Sequence, residues 1–440
     1  MFRPAIQKLY ILVLMAIFCI LMTFISFNSQ LDYQKPFYSQ KVDASNYMFE
    51  SLKILRSEYL SIPNQKYEDI LGESFNDRNG NGLYDVGEEI INDKRSFSSL
   101  DPLQTGLVFY QDDLPGNPSS KLTTLNPSFA AFMVDLMIDA GIEVPDARSR
   151  QPNVAVALSS SFPGANLAVL SACKSMGIDP VIITSLSGSN YGALSYSDFS
   201  WLDIEEILIK NKIFSSSYRS KAVSIGRGGD SGIGLDSLII KEIKGSIQKH
   251  KDIEFIYDER KTDLSYYVDK RMEIYDKRND FAPYDLFINV GGGHASIGTI
   301  DDIRSSSGVL SLEFLDGVYR NNNDDCVMYR FSQSPNYLTP SINIIDIRNL
   351  VGEKLPLITL SNKNFNIDWE NSKWISSDES NQLWRSKSNK SGILYIERKY
   401  NFWVVVPCLI ASIVVVLYVG VYSHFQIKRR MTSYEPDSVS

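Results

Sequence analysis

Two unbroken apolar runs stand near the ends of the chain, at residues 9–27 and 403–422, and between them the hydrophobic positions fall into short clusters separated by polar loops. At ~1.5 Å of rise per residue, either run is long enough as a helix to cross a hydrocarbon core of roughly 30 Å. Neither contains a charge, and Trp403 and Tyr422 sit where interfacial aromatics belong, with Tyr418 one turn inside. No polar face interrupts either run, so the pattern predicts spanning helices rather than core helices. A cleaved secretory signal is the competing reading of the first run, but Ser26-Phe27-Asn28-Ser29 offers no small-x-small cleavage site.

The middle of the chain has a different rhythm. Asn126-Pro127 opens a helix striped by Phe129, Phe132, Met133, Leu136 and Met137 and stopped by Gly141. Short β-branched runs at 154–158, 181–184, 222–225, 253–257 and 286–290 then predict strands, and the patterns at 167–176 and 235–250 predict helices between them. This alternation implies an α/β fold: a mostly parallel, Rossmann-like sheet with helices on both faces, flanked by one transmembrane helix at each end. The expected organisation is a tail (1–8), a transmembrane helix (9–27) and a polar membrane-proximal stalk (28–120) with some helix near 44–58. The α/β domain (121–360), a small appended region (361–402) holding Trp369, Trp374 and Trp384, a second transmembrane helix (403–422) and a tail (423–440) follow.

Charge orients this plan. Arg3 and Lys8 precede the first apolar run, and Lys428, Arg429 and Arg430 follow the second, so the positive-inside tendency puts both tails in the cytoplasm and the main domain outside. Arg398 and Lys399 on the opposite flank weaken that bias. The formal charge of −8 over 440 residues and the absence of a basic stripe between the anchors argue against a nucleic-acid partner. Of four cysteines, Cys19 and Cys408 lie in the apolar runs, which leaves Cys173 and Cys326 and no disulfide framework. A buried free thiol is the expectation for Cys173, on a helical stretch.

Several segments carry candidate chemistry. In Asp77-Arg78-Asn79-Gly80-Asn81-Gly82-Leu83-Tyr84-Asp85-Val86-Gly87-Glu88, oxygen ligands recur at loop positions 1, 3, 5, 9 and 12, with glycine at 6 and a carbonyl at 7. Asp77, Asn79, Asn81, Leu83, Asp85 and Glu88 thus form a candidate structural calcium site; the plainer alternative is an Asn/Gly turn. Ser159, Ser161, Gly164 and Asn166 precede a helix N-terminus, where free N–H groups favour an anion, although a structural cap and turn serves equally. Arg227, Gly228 and Gly229 could cradle an anion after the next strand but one. Neither segment matches a Walker loop or the dinucleotide fingerprint, so no nucleotide is expected.

Only three histidines exist, and His294, after Gly291-Gly292-Gly293, is the one imidazole placed for catalysis. Ser160, Asp230 and His294 could converge as nucleophile, orienting acid and base, against the alternative of a glycine-rich turn. Asp203 and Glu205 are two residues apart and do not share a helix face, so they complement a helix dipole rather than make a paired-carboxylate site.

Taken in order, Ser160-Ser161-Phe162-Pro163-Gly164-Ala165-Asn166, Leu170-Ser171-Ala172-Cys173-Lys174-Ser175-Met176-Gly177, Tyr191-Gly192-Ala193, Trp201-Leu202-Asp203-Ile204-Glu205, the glycine segment 226–230 and Ile288-Asn289-Val290-Gly291-Gly292-Gly293 form one constellation. It resembles the poly-gamma-glutamate system protein family over residues 126–356. Tyr191 stands where that pattern leads one to expect tryptophan, and the calcium loop with its stalk is a local addition. The resemblance implies a bacterial membrane accessory of poly-gamma-glutamate (capsule) synthesis or export, whose partners are the polymer or its synthase and export complex. It transfers no catalytic residue. Three functions therefore stand as expectations: a polymer- or partner-binding protein, a hydrolase or transferase acting on amide bonds through Ser160 or a neighbour with His294, and a scaffold.

Overall fold

The computed structural model describes residues 4–61, 101, 103–108, 116–145, 150–189, 192–193, 199–235, 237–322, 324–333, 338–352, 354–355, 357–358, 366–369, 373–375 and 393–432. The expected calcium loop at 77–88 lies outside them, as do Tyr191 and Trp384. The chain divides into two compact units, Met1–Pro36 with Ile396–Ser440, and Phe37–Tyr395.

In the smaller unit the apolar runs form helices Leu9–Asn28 and Phe402–Thr432, both long and apolar enough to cross a membrane. The first buries none of its residues in protein and the second only Ser423, which sets them apart from soluble core helices. The two helices pack on each other, and the Ala5 and Ile6 amides donate to Gln426 Oε1 and Ser423 Oγ at 3.0 and 2.9 Å. Beyond the first helix, β1 (Gln30–Gln34) pairs antiparallel with β11 (Ile396–Tyr400), so Asp32 meets Arg398 at 3.1 Å. That exposed pair contributes ~0–1 kcal/mol.

The larger unit is built on a seven-stranded sheet: β2 (Val154–Ser159), β3 (Val181–Ser185), β4 (Ala222–Ser224), β5 (Glu254–Ile256), β6 (Leu286–Val290), β7 (Gly308–Leu310) and β8 (Ser341–Ile344). Their spatial order is β5-β4-β3-β2-β6-β8-β7, parallel except for β7 at one edge. Every residue of β2 is buried, as expected for a central parallel strand written almost wholly in Val, Ala and Leu. Ala155 and Ala157 share one core with Phe287 and with Tyr267, Val268, Ile274 and Tyr275 of helix Leu264–Arg278. Val154, Val156 and Leu158 alternate with those alanines and are buried too, so both faces of the strand are covered. Helix Pro163–Ser175 contacts β2, and helices Ser128–Asp139 and Tyr38–Ser61 pack on it.

Three features depart from the sequence expectation. Residues 38–61 are a helix of the larger unit rather than part of a stalk. Met48, Phe49, Leu52, Leu55 and Tyr59 bury one stripe at helical spacing despite the polar composition. Strands β7 and β8 escaped the pattern because one offers only Val309 and Leu310 after a glycine and the other reads Ser-Ile-Asn-Ile. The Asn343 amide is nevertheless buried by donating to the Ile303 and Ser306 carbonyls at 3.0 and 2.7 Å. Within 361–402, β9 (Asn366–Asp368) pairs antiparallel with β10 (Lys373–Ile375), and Trp369 stacks on Phe49 with ring centres 5.7 Å apart. Cys173 and Cys326 are free and buried, and burial pushes both thiols up to about 12, leaving them unreactive.

Candidate functional site

From β2 the chain winds outward through β3, β4 and β5, then returns to place β6 on the other side of β2. The direction of winding therefore reverses between β2 and β6, and the crevice beyond their carboxyl ends is where open α/β sheets bind ligands. Strand β2 runs into Ser159-Ser160-Ser161 and β6 into Gly291-Gly292-Gly293. These ends touch: Gly291 has φ +97°, and a Cβ there would run into Ser159 Oγ. Neighbouring loops close the ring. Ser189 N donates to Ser161 Oγ (3.0 Å), Ala193 N to Ser160 O (2.8 Å), and Arg227 N to Ser187 Oγ (2.6 Å). Gly226, at φ +106°, backs directly onto the Ser187 hydroxyl. The serine and glycine loops after β2, β3, β4 and β6 thus form one continuous rim.

Cations line this rim. The Arg304 Nη1 donates to Gly292 O at 3.0 Å, and Arg304 and Arg227 have no carboxylate partner among the described residues. Lys121, 2 % exposed on helix Pro118–Thr123, reaches the Ser161 carbonyl and the Ser189 hydroxyl, the latter at 2.8 Å. Its ammonium lies over the Phe162 ring, 3.6 Å from the centre. Burial lowers its pKa to about 7, because no carboxylate compensates the lost hydration. The remaining charge is neutralised internally: Arg271 Nε meets Asp230 Oδ2 at 2.6 Å, with both side chains 1 % exposed. Ser185 and Ser224 each accept from Arg271 Nη2 at 2.8 Å, and Ser224 donates to Asp230 Oδ1 at 3.0 Å.

The sequence-predicted residues divide accordingly. Ser159, Ser161 and Arg227 lie on the rim. Gly164 instead closes against Thr124, 2.6 Å from its Oγ1 to a would-be Cβ, and Asn166 donates to Ser159 O at 2.9 Å, so both shape the loop from behind. Gly228 and Gly229, at φ +66° and +71°, serve the tight turn that returns Asp230 to Gly226. No hydrogen bond joins Ser160, Asp230 and His294. The Ser160 hydroxyl is fully buried and unpartnered, and the Asp230 carboxylate belongs to Arg271. His294 opens a four-residue helix and is exposed; burial of part of its ring and the nearby Arg304 lower its pKa. Asp203 closes a capping box with Ser200, whereas Glu205 is buried against the Trp201 indole (2.7 Å) and Ser220. Both acids are structural.

Lys121, Ser185, Ser187, Ser189, Arg271 and Arg304 were not singled out from the sequence. Arg271 carried a usable signal, since it lies in the middle of a stripe whose other buried members are Tyr267, Val268, Ile274 and Tyr275. A charge in an apolar stripe requires a buried partner. Comparison with known protein families, with curated proteins and with solved structures finds no significant match.

Proposed function

We propose that this chain is a membrane-anchored receptor for carboxylate-rich ligands, acting as an accessory of poly-gamma-glutamate synthesis or export through its Rossmann-like domain. The observation that carries the reading is Arg304, whose guanidinium reaches the Gly292 carbonyl on the rim with no carboxylate partner among the described residues, joined by the exposed Arg227 on the neighbouring loop, in a chain whose net charge is −8. An acidic protein that leaves cations unpaired in one crevice has a local potential opposite to its overall charge, and that crevice selects anions. Hydroxyls of Ser159, Ser161 and Ser187 add hydrogen-bond donors for carboxylate oxygens. Hydrogen bonds from Ala5 and Ile6 to the far end of helix Phe402–Thr432 bring the two chain ends to the same side of the anchor. Together with the flanking lysines and arginines, this supports cytoplasmic tails and an extracytoplasmic domain in a bacterial membrane. In that location the loop at 77–88 would hold calcium as a structural ion, offsetting repulsion between an acidic protein and a polyanion.

The test is binding of a γ-glutamyl oligomer to the full-length protein in detergent micelles, with an uncharged glutaminyl oligomer as control. Salt-sensitive binding that Arg304→Gln weakens about tenfold is expected, the loss of one charge-assisted contact of ~1.5 kcal/mol. Equal binding of both oligomers would remove the proposal.

A further inference from the structure

We infer that Ser189 and Lys121 form a nucleophile–base pair that cleaves or transfers acyl groups at an amide or ester carbonyl bound in the switch-point crevice. Three observations carry this. Lys121 Nζ lies 2.8 Å from Ser189 Oγ, within the reach needed for proton transfer. The lysine is buried without a carboxylate partner among the described residues, whereas the other deeply buried lysine, Lys41, is held by Asp135 at 2.6 Å. Among the serines on this rim, Ser189 alone meets the amine through its hydroxyl while partly exposed to solvent: Ser161 meets it through its carbonyl, and the Ser160 hydroxyl is sealed in without a partner. Its backbone is fixed by the bond from Ser189 N to Ser161 Oγ at 3.0 Å.

The neutral amine has two N–H groups and one lone pair. The charged amine donates to both Ser161 O and Ser189 Oγ; once neutral it keeps the bond to Ser161 O, and its lone pair can accept from the Ser189 hydroxyl in place of the second donation. Burial, which lowers the amine to about 7, keeps that lone pair available at neutral pH. As Ser189 Oγ bonds to the acyl carbon, its proton passes to Lys121 Nζ. The Phe162 ring, 3.6 Å away, then stabilises the ammonium as it forms. When the carbon–nitrogen bond breaks, the leaving amine takes that proton. Water opens the resulting ester, giving one proton through Lys121 back to Ser189 Oγ and its hydroxyl to the acyl carbon. The choice of an acidic acyl group rests on the receptor reading above; the dyad itself does not.

The experiment treats the full-length protein in micelles with a fluorophosphonate, which reports an activated serine without knowledge of the substrate. A single adduct on Ser189, absent in Ser189→Ala, is expected by peptide mass spectrometry. Its rate should rise with pH in one step near 7 and fall at least about 100-fold in Lys121→Arg, which cannot accept a proton. Ser160→Ala should label within twofold of the parent. An adduct elsewhere, no adduct, a rate without the pH step, or equal rates in a folded Lys121→Arg protein would overturn the inference. If Lys121→Arg fails to fold, the parent's pH step and Ser189→Ala decide. Arg304→Gln separates the two proposals. Weakened oligomer binding without phosphonylation of Ser189 in the parent sinks only the dyad, and the reverse result sinks only the receptor.

Discussion

Asp230→Asn isolates the buried ion pair that holds the far side of the crevice. Asparagine keeps the volume and tolerates the left-handed backbone at this position, φ +72°, so the substitution removes charge and little else. At 2.6 Å and an effective dielectric near 20, the Arg271–Asp230 attraction is about 6 kcal/mol, before the cost of desolvating both ions is set against it. With Arg271 left charged and buried, the expected loss of stability is ~3–5 kcal/mol. Substituting Asp230→Asn together with Arg271→Met removes the stranded cation and should recover all but ~1–2 kcal/mol, because Ser185 and Ser224 can then pair with each other, 3.3 Å apart. Urea unfolding of the full-length protein, followed by tryptophan fluorescence, measures the complete cycle. A single-mutant cost below about 1 kcal/mol would refute the reasoning and return the carboxylate to the site as a free acid.

Lys121→Met should change how stability varies with pH. A lysine whose folded pKa is lowered from 10.5 to about 7 destabilises the fold fully below 7, and the penalty disappears as pH rises toward 10.5. Relative to the parent, the methionine variant should therefore gain up to about 5 kcal/mol on going from pH 10 to pH 6, and a pH-independent difference in urea midpoint would contradict this. Gly291→Ala combines a positive φ with a methyl aimed at Ser159, and should cost ~2 kcal/mol or more in the same assay, while Gly245→Ala, with open space around it, should cost nothing. Calcium titration by calorimetry should show one weak site, roughly 10⁻⁴ to 10⁻³ M, lost in Glu88→Gln; binding unchanged by that substitution would move the ion elsewhere. Protease added to intact cells should cut the main domain and spare both tails, and the opposite pattern would invert the proposed topology.

The two helices long and apolar enough to cross a membrane and five of the seven sheet strands were legible because their signal is local. An apolar run of about twenty residues has few alternatives, and β-branched clusters such as Val181–Ser185 declare themselves within their own length. Strands β7 and β8 were not, since β8 depends on neighbours that cover Asn343 and supply its partners, and β7 pairs only with β8. The serine and glycine loops could be marked as ligand-binding positions from the rule that such loops follow strand ends. Their meeting on one rim was a matter of strand order: the return of β6 to the side of β2 opposite β3 puts Gly291 against Ser159 across more than a hundred residues of chain.

Charge was the least readable feature. Lys121 and Arg304 read along the chain as ordinary polar positions, Arg271 as a charge in an apolar stripe and Asp230 as a candidate orienting acid, and each acquires its role from what tertiary packing puts beside it. Composition and periodicity alone determined where apolar surface must be hidden, and hence the two long apolar helices, the mostly parallel sheet and its loops. Only the folded arrangement decided that Asp230 is neutralised by Arg271 while Lys121 has no counter-ion among the described residues, because the energy of a buried charge depends on partners a few ångströms away in space, and sequence distance does not encode them.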